Sequence, residues 1–172
     1  MAFSMSQASL PALEMGLNAL SGVLDKAKAF AAAKKIDDSV LLNTRLAPDM
    51  FPLVRQVRAA TDHAINACGR LAGADLPSFS NTETTIPELK DRIAKTIDFL
   101  KGLKPAQIDG SEDKAIKITF PSGATREFTG QSLLLTNALP NFYFHCTTAY
   151  DILRQCGIEL GKRDFMGTPV SL

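Results

Sequence analysis

The chain has 172 residues, with 19 basic and 18 acidic side chains and a formal net charge of +1. That length suits one domain large enough to bury a hydrophobic core, and the near-neutral balance removes the usual electrostatic case for a nucleic-acid or membrane-surface partner. No charged segment followed by an apolar stretch opens the chain, and no apolar run approaches the ~20 residues of a membrane span, so a cytoplasmic protein is expected.

Helical periodicity runs through most of the sequence. The first helix is expected from Ser4 to Lys35, with Met5, Ala8, Ala12, Met15, Ala19, Val23, Ala27 and Phe30 along one face. Pro11 falls inside it, so its first turns should be kinked or form a separate short piece. Asp38 to Leu42 suits one short turn. Pro48 suits the first turn of a second helix ending near Gly73, whose Met50, Leu53, Val57, Ala60, Ala64, Ala67 and Leu71 make a packed seam. A polar loop follows from Gly73 to Asn81. Thr85 and Glu88 then form a capping box around Pro87. The third helix buries Ile86, Leu89, Ile93, Ile97, Leu100 and Leu103, and Lys104-Pro105 ends it.

There the period changes from helical to alternating. Ala115 to Phe120 alternates at two, Pro121 to Ala124 suits a turn, and Thr125 to Thr129 can return as a second strand. A lone hairpin is marginal in water, so this one must lie against the helices. The fourth helix is expected over about 131–155, with Pro140 as a kink or break and Gly157 as its stop. The fold class that results is mainly α, a four-helix bundle with a short β-hairpin (about 115–129) inserted before the last helix.

The sequence lacks a phosphate-binding glycine-rich loop, a His-Glu-x-x-His pair, a serine nucleophile elbow and a dinucleotide fingerprint. Its two histidines, His63 and His145, exclude a three-histidine metal centre. Cys68, Cys146 and Cys156 show no metal or redox spacing and read as reduced, structural thiols. Adjacent helix positions point about 100° apart, so His145 and Cys146 do not face each other as a nucleophile pair.

The fourth helix carries the sharpest functional signal. Asn137, Asn141, His145 and Thr148, spaced by four, four and three, form one polar stripe. It borders the apolar line of Leu135, Ala138, Phe142, Ala149 and Ile152. On the second helix Asp49, Gln56 and His63 repeat at seven and flank the apolar seam. A polar pocket between these helices would suit a small molecule or a divalent ion. Each residue also has a structural reading. His145 can be a core histidine with an amide partner, His63 a boundary residue, and Gln56 a buried amide that fixes register. Asp49 can serve the positive helix end, and Tyr143 and Tyr150 can be core aromatics. After the helix, Gly157 and Gly161 allow chain reversals around Lys162-Arg163-Asp164, and Phe165 either pins the tail to the bundle or belongs to a lid or subunit contact.

Leu46-Ala-Pro-Asp-Met-Phe-Pro-Leu53 with Gln56-Val57, Leu139-Pro-Asn-Phe-Tyr-Phe-His145, Tyr150-Asp-Ile-Leu-Arg154 and Gly161-Lys-Arg-Asp-Phe165 together resemble a bacterial domain-of-unknown-function family related to the DinB/YfiT-like bundles. The resemblance spans nearly the whole chain and implies an up-down-down-up four-helix bundle. In the wider group it implies a divalent-metal site of three histidines, one on the second helix and two on the last, and in some members thiol-dependent transferase or hydrolase activity. His145 matches the first position of the last helix's His-x-x-x-His, but Ala149 stands at the second. The second-helix histidine has no clear counterpart among Asp49, Gln56 and His63. This departure leads us to expect no metal and no other cofactor, and a tentative ligand site at Asp49, Gln56, His63, Asn137, Asn141, His145 and Thr148. Two alternatives stand beside it: a divalent-metal- or thiol-dependent transferase keeping one ion on His145 and Asp49, and a structural module. A homodimer packed helix against helix is the expected partner, with no nucleic acid and no membrane.

Overall fold

The computed structural model describes residues 3–119 and 123–168. Helix α1 spans Met5–Lys34 and starts on a reciprocal cap, in which Ser4 Oγ accepts from the Gln7 amide and Gln7 Oε1 accepts from the Ser4 amide. Contrary to the expected break, α1 is continuous through Pro11. Pro11 lies on the exposed side of the helix, where water can hydrate the carbonyl that loses its helical donor. The short α2 (Asp38–Leu42) follows. Its buried Asp38 accepts from Lys28 of α1 and from the Ile86 amide, and so ties three elements together.

Helix α3 spans Leu53–Ala72, five residues shorter at its start than expected from Pro48. Pro52 is the reason, because a residue preceding proline is driven from the helical region, so Phe51 cannot sit in a helix running through it. Pro52 itself caps α3 in an extended conformation. Helix α4 (Ile86–Gly102) starts on the expected Thr85/Glu88 box and buries all six expected apolar residues. Lys104-Pro105 ends it, and Pro105 opens one further turn, α5 (Pro105–Ile108).

Strands β1 (Ala115–Thr119) and β2 (Thr125–Thr129) pair antiparallel, with Ala115 opposite Thr129 and Thr119 opposite Thr125. The expected strand end at Phe120 and the turn at Pro121 and Ser122 lie outside the described residues. Ile116 is buried, and Ile118 and Phe128 pack on the helical core, which is how so small a sheet is stabilised. Gly130 follows at once, and a Cβ there would stand 1.9 Å from the Ser111 carbonyl oxygen. Only glycine lets the hairpin's exit approach that backbone.

The last long helical segment is unbroken but not uniform. One turn, α6 (Gly130–Ser132), leads into a π-helical stretch, Leu133–Ala138, and then into α7 (Leu139–Gln155). Pro140 therefore neither splits the helix nor stands in ordinary α register with the turn before it. Gly157, at φ 89°, ends the segment, and α8 (Lys162–Met166) folds back onto α1. The core joins α1, α3, α4 and α7, with Leu13, Leu17, Leu53, Val57, Leu89, Ile93, Phe142 and Ile152 at its centre.

Candidate functional site

Helix α7 packs along α3, which brings Gln56, His63 and His145 together. Gln56 is only 1% exposed. Its Nε2 donates to the Phe51 carbonyl at 2.9 Å, and its Oε1 lies 2.7 Å from His145 Nδ1. A carbonyl can only accept, so the amide nitrogen must face Phe51 and the amide oxygen must face the imidazole. His145 Nδ1 therefore carries the hydrogen, an assignment made from the hydrogen-bond network. In the neutral ring the Nε2 lone pair is left as an acceptor without a hydrogen-bond partner among the described residues.

Aromatic contacts hold the His145 ring in place. His63 stacks on it with centroids 5.4 Å apart and planes 17° apart. The Phe51 ring lies near-parallel at 6.4 Å and Phe144 meets it edge-on at 5.3 Å. Burial, and then the adjacent His145, push the His63 pKa down to about 4. Burial also lowers that of His145. Near neutral pH the site thus presents two uncharged imidazoles.

His63 also lines a cavity of about 350 Å³ with Asn66 and Arg70 of α3, Ile118 of β1, and Leu133 and Asn137 of the π stretch. Asn66 Oδ1 accepts from Arg70 Nε, and Asn66 Nδ2 donates to the Asp62 carbonyl. The expected stripe is therefore only partly available to a ligand. Asn137 stands in the cavity wall, whereas Asn141 donates to the Asn137 carbonyl and the buried Thr148 to the Phe144 carbonyl. Asp49 departs from expectation. It lies exposed in the turn before α3, so it neither stands in the helix's first turn nor shares a seam with Gln56 and His63.

Beside the site is a charged cluster that the sequence reading did not identify. Arg92 of α4 is 1% exposed and donates to Thr61 Oγ1, Asn81 Oδ1, Glu83 Oε1 and Asp62 Oδ1. The Phe79 ring lies 4.3 Å from its guanidinium carbon. Arg58 completes the cluster by donating to Glu83 Oε2 at 2.7 Å. Burial pushes the Glu83 carboxyl up, but the hydrogen bonds and charge of Arg92 and Arg58 outweigh it and hold the group below the usual range. A signal was present: Arg92 falls three residues after Leu89 and next to Ile93, on the buried face of α4.

The donor set does not fit the three-histidine ion of the wider group. Ala149, fully buried, stands where the resemblance would place the second histidine of the last helix, and a methyl group cannot ligate. His145 Nδ1 is committed to Gln56, and stacked rings hold their in-plane lone pairs in near-parallel planes that do not converge on one ion. Among the described residues no group of three His, Cys, Asp or Glu is arranged to hold a metal. Cys146 turns away from His145 into a different cavity, its thiol pushed up to about 12 by burial. That combination excludes a thiolate nucleophile at the imidazole pair.

The chain matches the family described as Domain of unknown function (DUF1993) over residues 5–166. A crystal structure from Shewanella denitrificans, described as a DinB family member protein, is 39% identical to it. The similarity covers 97% of this chain and 94% of that one, with a TM-score of 0.86. No curated protein matches the chain. With its helical architecture and inserted hairpin, the chain belongs to the DUF1993 family and has a DinB-like fold.

Proposed function

We propose that this protein binds a small organic molecule in the seam between α3 and the last long helical segment, without a metal ion. The observation that carries the reading is the Phe51–Gln56–His145 chain of hydrogen bonds. It fixes one imidazole tautomer and leaves Nε2 of His145 as an uncharged acceptor. His63, stacked on that imidazole, is the member of the pair that lines the polar cavity, beside Asn66, Arg70 and Asn137. A ligand with a hydroxyl or amide N–H for the His63 imidazole, held in place by its stack on His145, and an acceptor for Arg70 suits this arrangement. The three unpaired cysteines are compatible with a reducing cytoplasmic setting.

A thermal-shift screen of small polar metabolites tests the proposal. A ligand at about a hundredfold excess over its Kd adds about 2.7 kcal/mol of stability, or roughly 5–10 °C in Tm for a chain of this size. The shift should vanish in a folded His145→Ala variant. A broad screen without a shift, or a shift that His145→Ala leaves intact, rejects the site.

A second reading, a helix-against-helix homodimer, is favoured by the exposure of Phe51, Leu135, Tyr143 and Phe144. Light scattering that gives the monomer mass across a wide concentration range refutes it.

A further inference from the structure

We propose that the protein has a second ligand site, an apolar cavity beneath α8 that takes a neutral, ring-sized hydrophobic molecule. The cavity, partly open to solvent where Tyr143 and Met166 are exposed, holds about 240 Å³ between α1, α7 and α8. Its α7 wall is Tyr143, Cys146 and Tyr150, spaced by three and four. At 3.6 residues per turn that line lies roughly 180° around the helix from Asn141, His145 and Thr148. The imidazole pair and this cavity therefore lie on opposite faces of α7, and the two cavities share no lining residue.

The space exists because α1 contributes small side chains where α7 and α8 come close. Ala19 lines the cavity, and a Cβ at Gly16 would fall 2.6 Å from the Phe142 ring. Protein interiors seldom leave voids larger than a water molecule. An apolar void of about 150 Å³ stays dry and accepts benzene, so this larger one has room for a two-ring aromatic. Among the described residues its lining contains no charged side chain, and a charged guest would forfeit its hydration without a partner. Burial keeps the Cys146 thiol neutral as well.

The roof is lightly held. α8 has five residues, and Lys26 of α1 ties it down through an ion pair with Asp164 at 2.7 Å and a bond to the Glu159 carbonyl at 3.4 Å. Phe165 meets the Tyr150 ring edge-on, with centroids 6.0 Å apart. Exposed ion pairs of this kind constrain a segment weakly. Gly157 and Gly167, both at positive φ, flank the segment, so it can lift to admit a guest.

The test uses the full chain labelled at its methionine methyl groups, with indole as a neutral probe and benzoate as a charged one of similar size. Met15 and Met166 line the cavity, whereas Met5 and Met50 do not and serve as internal references. Indole should shift the Met15 and Met166 resonances saturably and leave those of Met5 and Met50 in place, while benzoate moves none. Ala19→Leu, which fills the space, should reduce indole affinity at least tenfold in a protein that still melts cooperatively. Met15→Trp, a change at a half-buried position, gives the same readout at Met166 if the leucine variant does not fold. Equal shifts at all four methionines, no saturation, equal binding of benzoate, or a folded filled variant that binds like the parent each overturns the proposal.

Discussion

Replacing His63 with leucine should remove much of the protein's sensitivity to mild acid. In the folded chain the His63 pKa is about 4, against an ordinary value of 6.5. Well above pH 6.5 the ring is neutral in both folded and unfolded chains and contributes no pH dependence. As pH falls from there, the unfolded chain takes up a proton that the folded one refuses, so stability declines. The decline levels off below about pH 4, where both states are protonated. Fully expressed, the difference amounts to about 3 kcal/mol, of which about 2.5 kcal/mol has developed by pH 4.5. The groups around the ring are His145 of α7, whose own lowered pKa acts in the same direction, and Asp62 and Arg70 on the same helix. Urea unfolding of parent and variant at pH 7 and pH 4.5 separates the effect of His63, with its influence on the stacked His145, from that of the carboxylates, which titrate alike in both proteins. The variant should lose about 2.5 kcal/mol less between these conditions, or roughly 5–10 °C less in Tm. Equal losses in the two proteins would show that His63 is hydrated and refute the neutral stack.

Arg92→Met should cost about 1–3 kcal/mol by urea unfolding, because it strips Thr61, Asn81 and Asp62 of their donor and leaves Glu83 with Arg58 alone. A loss below about 1 kcal/mol would mean that water already satisfies these carboxylates. Two glycines of α1 make a matched pair. Gly22→Ala, with open space around its new methyl group, should stabilise by about 0.5–1 kcal/mol, whereas Gly16→Ala, driven into the Phe142 ring, should destabilise by about 1–3 kcal/mol. Equal effects in thermal melts would contradict the close packing of α1 on α7.

What was legible in the sequence follows from how local the physics is. Helix α4 could be read almost to the residue, because its cap and its apolar face are set within the segment itself. The start of α3 was misplaced because Pro48 and Pro52 both suit a first turn, and only the restriction of Phe51 by the following proline decides between them. The polar stripe of α7 was visible as periodicity. The bond from Gln56 to His145 was not, because it joins residues on different helices and depends on how far one slides along the other. Arg92 was passed over because a charged residue in an amphipathic helix is normally solvated. Its burial depends on partners 9 to 31 positions away in the chain.

The π stretch connects these observations. In α register Pro140 would press its ring on the carbonyl four residues earlier and leave that carbonyl without a donor. Widening the turn avoids the conflict, and the Leu139 amide bonds five residues back, to Leu134. Asn141 then adds a side-chain donor to the Asn137 carbonyl at the junction. One extra residue in a turn rotates everything beyond it by about 100° relative to the hairpin and α6. The aim of α7 is therefore set before its first regular turn. In that orientation His145 faces Gln56 and His63, while Tyr143, Cys146 and Tyr150 face α1 and the roof of α8. A proline that reads in sequence as a helix breaker here gives one helix two working faces.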